Sequence, residues 1–303
     1  MSKLLFLLLV PSMMYSHVVV HFNGRLGNQL FQAATAIALA QENQCEVYFP
    51  DFERLDLSTD DYGLAQLKQN YHYIFSRIPS LKTKIIPSYI YHEPDFAYHT
   101  ISYVADTEIA GYFLSEKHFM KHKEYVVDLF SPTNDINQYL EERFAHIIHH
   151  PNTVGIHIRT GYLEYMLNEY NPKFYDAYLP PDMAFFKQAI ERFDPNSLFI
   201  VFSDHIPWCK KQFASLNKQV IFVEDQEYIY DFYLLSKCKH AILANSTFGW
   251  WAAYLNKNPS KKVICRMPFW TCDPSGLQDI ICSDWMTIDM QEKPPIPQFK
   301  GSL

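Results

Sequence analysis

The chain has 303 residues, with 26 basic and 33 acidic side chains for a formal net charge of −7. That length suits two domains of ordinary size better than one, while the acidic balance and the lack of any Lys- or Arg-rich block exclude a general nucleic-acid binder. Glycine is sparse at 9 residues against 21 Tyr and 23 Phe, so each loop glycine is informative.

The N-terminal stretch MSKLLFLLLVPSMMYSH carries one Lys and an apolar run, Leu4 to Val10, stopped by Pro11. It is shorter than the roughly 20 apolar residues a bilayer span takes. Two readings of 1–16 stand: a cleavable signal peptide, with charge, apolar core and small residues such as Ser16 in the right order, or a hydrophobic segment that packs on the fold or touches a membrane surface.

A strand is predicted over 17–22, followed by GRLGNQLFQAATAIALAQ. There Leu30, Ala33, Ile37 and Ala40 recur at helical spacing without Pro or Gly up to Glu42, which reads as strand, tight turn, helix. The first N–H groups of such a helix have no partner inside it, and Gly24 and Gly27 let a ligand approach the main chain, so the turn is a candidate anion or hydroxyl site. The alternative is that the glycines only shape the turn while Asn28 and Gln29 cap the helix. A nucleic-acid-clamping GxxG loop needs a helix before it; here a strand precedes.

A further strand is expected at 46–50, and the chain then reads as irregular through SYIYHEPDFAYHT. The histidines of HFMKH (118–122) have metal-like spacing without an intervening Glu, and HIIHH is merely His-rich, so neither is taken as a metal site. A domain boundary falls near His150–Pro151, where a helical stretch ends.

The second half is more regular, with apolar β-rich runs at 153–159, 198–202, 220–223, 240–244 and 262–265 separated by helical patterns. Strands alternating with helices imply a parallel sheet covered on both faces. Ligands of such sheets lie at the carboxyl ends of the strands, which directs attention to the residues just past each one. In VGIHIRTG, strand alternation puts Val154, Ile156 and Ile158 on one face and Gly155, His157 and Arg159 on the other, with Gly161 releasing the chain. Ser203 and Asp204 follow the second run; Asn245, Ser246 and Thr247 follow the fourth and open the helix FGWWAAYLN. Hydroxyls and helix-start N–H groups facing an Arg form a phosphate site. Taken singly these residues also fit N-caps (Ser203 or Asp204, Ser246) and a structural ion pair (Arg159); together, at one end of one sheet, they favour a nucleotide. The NST pattern is a glycosylation acceptor by sequence, but its place between a buried strand and a Trp-containing helix argues against modification.

Six cysteines, at 45, 209, 238, 265, 272 and 282, show no zinc spacing. Free buried thiols are expected for Cys238 and Cys265, with a disulfide among Cys265, Cys272 and Cys282 left open; the set suggests a reducing compartment.

Together, GRLGNQLFQAATAIALA, GYFLSEKHF (111–119), HIRTG (157–161), FSDHIPWCKKQF (202–213) and DFYLLSKCKHAILANSTFGWWAAYLN (231–256) resemble the α-1,2-fucosyltransferase family, in the family's order. The resemblance implies an α/β, GT-B-like fold of two Rossmann-like domains, an acceptor-side domain at 17–150 and a donor-binding domain at 151–303. It implies transfer of fucose from GDP-fucose to the 2-hydroxyl of a galactose-containing glycan with inversion, and no separate cofactor. Its H-x-R-x-G motif matches His157, Arg159 and Gly161, with the Arg holding the diphosphate. The match at Asn245, Ser246, Thr247 and Trp250 implies further donor contacts, Asp204 a guanosine contact, and Gly24, Arg25, Asn28 and Gln29 a lip of the cleft. Metal independence is expected, since no Asp-x-Asp is present.

Two departures stand out: Tyr162 occupies the place of the family's Asp, and His205 that of a second acid. An impaired homologue that binds GDP-sugar or glycan without turnover is therefore the alternative. A second alternative is an enzyme of another type with a nucleotide cofactor, but GxGxxG and GxxxxGK[ST] are absent, which leaves dehydrogenase and kinase-like readings little support. The catalytic base is unassigned among Glu108, Glu116, Glu164 and His157. The donor places the protein in the cytoplasm or peripherally at a membrane, or in the secretory pathway (Golgi) if the leader is functional.

Overall fold

The computed structural model describes residues 16–55, 62–160, 182–269 and 277–290; Gly161, Tyr162, Glu164, Cys272 and the leader up to Tyr15 lie outside them. Two parallel sheets organise the chain. The first contains β1 (His17–Val20), β2 (Glu46–Tyr48), β3 (Tyr89–His92) and β4 (Thr107–Ala110) in the order β2-β1-β4-β3. The second contains β5 (Thr153–Ile158), β6 (Leu198–Ser203), β7 (Gln219–Phe222), β8 (His240–Leu243), β9 (Val263–Met267) and β10 (Met286–Asp289) in the order β10-β9-β8-β5-β6-β7. Numbered from its own first strand, the second sheet runs 6-5-4-1-2-3, the doubly wound order whose direction reverses between its first and fourth strands, here β5 and β8.

The apolar runs became strands because both their faces are covered. On β5, Val154, Ile156 and Ile158 join a cluster with Phe185, Phe199 and Val201 under α5 (Met183–Ile190) and α6 (Ile206–Phe213). Gly155 on the opposite face lies so close to α7 (Tyr228–Lys237) that an added Cβ would sit 2.4 Å from Leu235 Cδ1. β2 ends at Tyr48, short of the expected 50, because Pro50 starts a 3-10 turn and cannot donate to the ladder. β3 and β4 lie in or just after the stretch that reads as irregular.

The halves of the chain meet through two helices, α1 (Leu26–Glu42) and α8 (Thr247–Leu255). Phe31 of α1 packs 4.4 Å from the Trp250 ring and 5.1 Å from Trp251, all three fully buried. Replacing a Phe at such a position with Ala costs about 3–5 kcal/mol, so this contact is a main tie between the two sheets. α4 (Asn134–Ile148), which precedes the sequence boundary at 150, also packs against the second sheet's layer, with Tyr139 stacked 3.8 Å from Tyr230. α2 (Tyr62–Tyr73) lies beside the start of α7, and α3 (Lys123–Leu129) precedes α4.

Cys45, Cys209, Cys238, Cys265 and Cys282 are free thiols, so Cys265 and Cys282 are not paired with each other. Burial pushes the Cys238 thiol up to about 12 and Cys265 higher still, which leaves them inert. Among the described residues no helix is long and apolar enough to cross a membrane.

Candidate active site

The carboxyl ends of β1, β4, β5 and β8 open onto one cavity of about 310 Å³. Gly24 to Asn28 line it after β1, Tyr112 after β4, Arg159 after β5, and Asn245 to Phe248 after β8; Gln66 and Tyr228 complete it. In both sheets these are the strands at which the order reverses, so the cavity joins two topological switch points.

Two helices start at this cavity, and in neither does the side chain of the N-cap residue make a cap bond. Gly24, at φ +76°, turns the chain through the left-handed region that glycine tolerates best, and α1 begins two residues later. Arg25, in the N-cap position, makes no side-chain cap bond, and the first turn has no acid. Ser246 stands in the same position before α8, again without a cap bond or a first-turn acid. The first intrahelical bonds run from Gln29 N to Arg25 O (3.0 Å) and from Trp250 N to Ser246 O (3.1 Å). The amides before them point out of the helix ends, where the macrodipole is positive. With Arg25 and Arg159 beside them, two such ends make a site for a highly charged anion.

The two helix starts touch. A Cβ on Gly27 would come within 2.5 Å of the Thr247 carbonyl carbon and Oγ1, and Thr247 Oγ1 donates to Asn28 Oδ1 at 2.9 Å. The glycine-bracketed motif thus closes against the NST motif 219 residues away.

Arg159 is held from behind. Its Nε lies 3.3 Å from Asp204 Oδ2, and Asp204 Oδ1 accepts from Thr160 N (2.6 Å) and Thr160 Oγ1 (2.8 Å). Asp204 therefore fixes the loop that carries the arginine; it is not among the residues lining the cavity. His157 is also set back. Its ring stacks on Phe248 at 5.1 Å, and its Nδ1, buried against Gly249, has no hydrogen-bond partner among the described residues. Desolvation lowers its pKa to about 4, outweighing the opposing pull of Asp204, so at neutral pH it is an uncharged ring with little basicity.

Three more candidates from the sequence lie behind the cavity wall. Gln29 is buried and gives Nε2 to Gly24 O at 3.0 Å. Trp250 is core, its Nε1 donating to Ile280 O at 2.5 Å. Ser203 Oγ accepts from His205 N, and His205, one of the sequence departures, caps α6 by accepting from Trp208 N at 3.0 Å. Of the base candidates, Glu116 lies 3.9 Å from Lys123 and Glu108 sits within β4; neither lines the cavity. Gly161 and Glu164 fall outside the described residues. Among the described residues no three His, Cys, Asp or Glu side chains cluster as metal ligands.

Tyr112, Gln66 and Tyr228 line the cavity without having been singled out from sequence. Tyr112 stands two residues past the end of β4, close to the kind of position that identified Arg159. Glu93 fixes it in place, accepting from Tyr112 N (2.6 Å) and Phe113 N (2.8 Å). Burial pushes the Glu93 carboxyl above its usual range. Tyr228 opens α7, whereas nothing in the sequence marks Gln66.

The profile of glycosyl transferase family 11 matches residues 10–289. An Escherichia coli alpha-1,2-colitosyltransferase is 28% identical over 296 residues, which cover 90% of this chain and 99% of that protein. The mouse galactoside alpha-(1,2)-fucosyltransferase 1 is 31% identical over 251 residues, 77% of this chain and 61% of that one. Among solved structures, a family 9 glycosyl transferase from Veillonella parvula superposes with a TM-score of 0.51 at 9% identity, covering 92% of this chain and 88% of that one, a likeness of fold.

Proposed function

The chain belongs to glycosyl transferase family 11, and from that premise we propose that it transfers L-fucose from GDP-fucose to the 2-hydroxyl of a galactoside with inversion. The observation that carries this reading is the convergence of Arg159 and two helix starts without N-cap side-chain bonds on one cavity at paired switch points. A sugar nucleotide presents a diphosphate that gains negative charge as the glycosidic bond breaks. Fixed donors aimed at that charge stabilise the transition state more than the ground state. Arg159 and the first turn of α8 supply them here. Across the cavity, Gly24 to Asn28 face the transferred sugar and the acceptor.

Asp204 contributes by holding Arg159, so its role in this reading is orientation of the charge. His157 supports Phe248 and the start of α8 as a neutral ring. The diphosphate is met by protein cations and amides, so turnover is expected to persist in EDTA. Purified protein given GDP-fucose and a panel of galactosides, with the product linkage read by NMR, tests the proposal. An α-1,2-fucosylated product with inverted anomeric configuration is expected. Tight GDP binding with no product from any acceptor would replace this reading with a binding homologue.

A further inference from the structure

A chain of buried amides joins the two walls of the cavity, and its direction follows from its end. Gly24 O can only accept, so Gln29 must turn its Nε2 toward it (3.0 Å) and its Oε1 away. That Oε1 must then receive a proton, and Asn70 Nδ2 supplies it at 2.6 Å. Asn70 is left with Oδ1 for its other neighbour, and the Tyr228 hydroxyl donates to it at 2.6 Å. Asn70 is fully buried on α2, and no residue type without both a donor and an acceptor on one short branch could serve both neighbours.

We propose that Asn70 is a positioning residue that locks the Gly24 turn of the first wall to Tyr228 of the second, and that it commits the Tyr228 proton inward so that this oxygen meets the ligand as a hydrogen-bond acceptor. Tyr228 and Gly24 both line the cavity, on opposite halves of the chain. One turn further along α2, Tyr73 donates to Glu227 Oε2 at 2.7 Å, an exposed parallel link that lacks the connection to the turn. A group that Tyr228 Oη meets in the cavity is therefore an O–H or N–H of the sugar nucleotide or of the acceptor sugar, and a group that only accepts is disfavoured there. The inference rests on the cavity being the transfer site.

Two near-isosteric substitutions cut different links. Asn70→Asp keeps an acceptor for Tyr228 but leaves no proton for Gln29, while Tyr228→Phe removes the hydroxyl and keeps the ring. Both are expected to lower kcat at least tenfold while GDP affinity changes less than threefold, with the double variant no worse than the weaker single variant because the links are in series. Tyr73→Phe is expected to change kcat less than twofold. Hydrogen exchange without substrate is the second readout: amides of residues 24–32 should exchange faster in Tyr228→Phe, although the change lies in the other half. Unchanged exchange and unchanged kcat in Tyr228→Phe would overturn the coupling, as would losses of kcat and GDP affinity in equal proportion. A wild-type protein inactive on every galactoside would defeat the proposed activity instead, and the exchange result would still decide the coupling.

Discussion

The two walls of the cavity are built from opposite materials. On the first wall, the Gly24 turn is fixed by neutral amides, Gln29, Asn70 and Asn28, in fully specified hydrogen bonds. On the second, an ion pair of Arg159 and Asp204 sits beside a buried neutral histidine, with hydroxyl-bearing residues opening α8. The first wall takes its shape from amides that do not titrate and carries one cation at the cavity, Arg25; the second concentrates charge whose strength depends on burial. A transfer site needs both, because one substrate must be oriented while the other is made to ionise.

The largest predicted effect removes the charge from the second wall. Arg159→Ala should lower kcat about 10²–10³-fold, in the range seen when one preorganised transition-state donor is deleted, while the melting temperature stays near wild type because the pair is partly solvated. Near-normal turnover in that variant would mean the second wall does not carry the diphosphate.

Acid should weaken the second half through its buried histidine. His157 titrates near 4 in the folded chain against about 6.5 unfolded, so the unfolded state binds more protons between those values. Stability is therefore fully present above pH 6.5 and declines toward pH 4, by as much as about 3 kcal/mol from this residue. His118, also lowered to about 4 by burial, acts in the same direction. Asp231 in the first turn of α7 opposes them: burial raises its carboxyl to about 7, so its cost grows as pH rises from about 4 to 7. Asp231→Asn should consequently stabilise the protein at pH 8 and change little at pH 4, measured by denaturant titration at both.

Forcing the walls apart comes next. Gly27→Ala places a methyl group against the Thr247 main chain, and overpacking of this kind costs roughly 1–3 kcal/mol. Loss of activity should exceed the loss of stability, since the methyl falls where the helix starts meet. The smallest effect is expected from Thr247→Val, which removes the bond to Asn28 and about 1 kcal/mol; a larger loss of turnover than of stability would identify the hydroxyl as a substrate contact.

Much of this was legible beforehand, and for physical reasons. β5, β6 and β8 are covered on both faces, so their sequences are continuous apolar runs, and the residues following them lead to Arg159, Asn245 and Thr247. β3 escaped because YIYH is an exposed edge strand, and β4 because four residues of mixed burial make no run. Missing β4 also hid Tyr112, which the same rule of looking past strand ends would have found. Trp250 and Gln29 show the converse. Their motifs lie at the cavity, but helix periodicity turns Trp250 into the interface between the halves and Gln29 into the interior of the first half, between Gly24 and Asn70, and no local pattern in the sequence distinguishes those faces from the ligand's. Asn70 has no motif at all, since its importance comes from two partners distant in the chain, Gln29 and Tyr228.

The most direct measurement is GDP release from GDP-fucose in EDTA, with and without a galactoside acceptor, comparing wild type with Arg159→Ala. Acceptor-dependent release by wild type, reduced at least a hundredfold in the variant, is the predicted result. Equal release by both proteins, or none by wild type despite tight GDP binding, would contradict the assignment of this cavity as a fucosyl-transfer site built around Arg159.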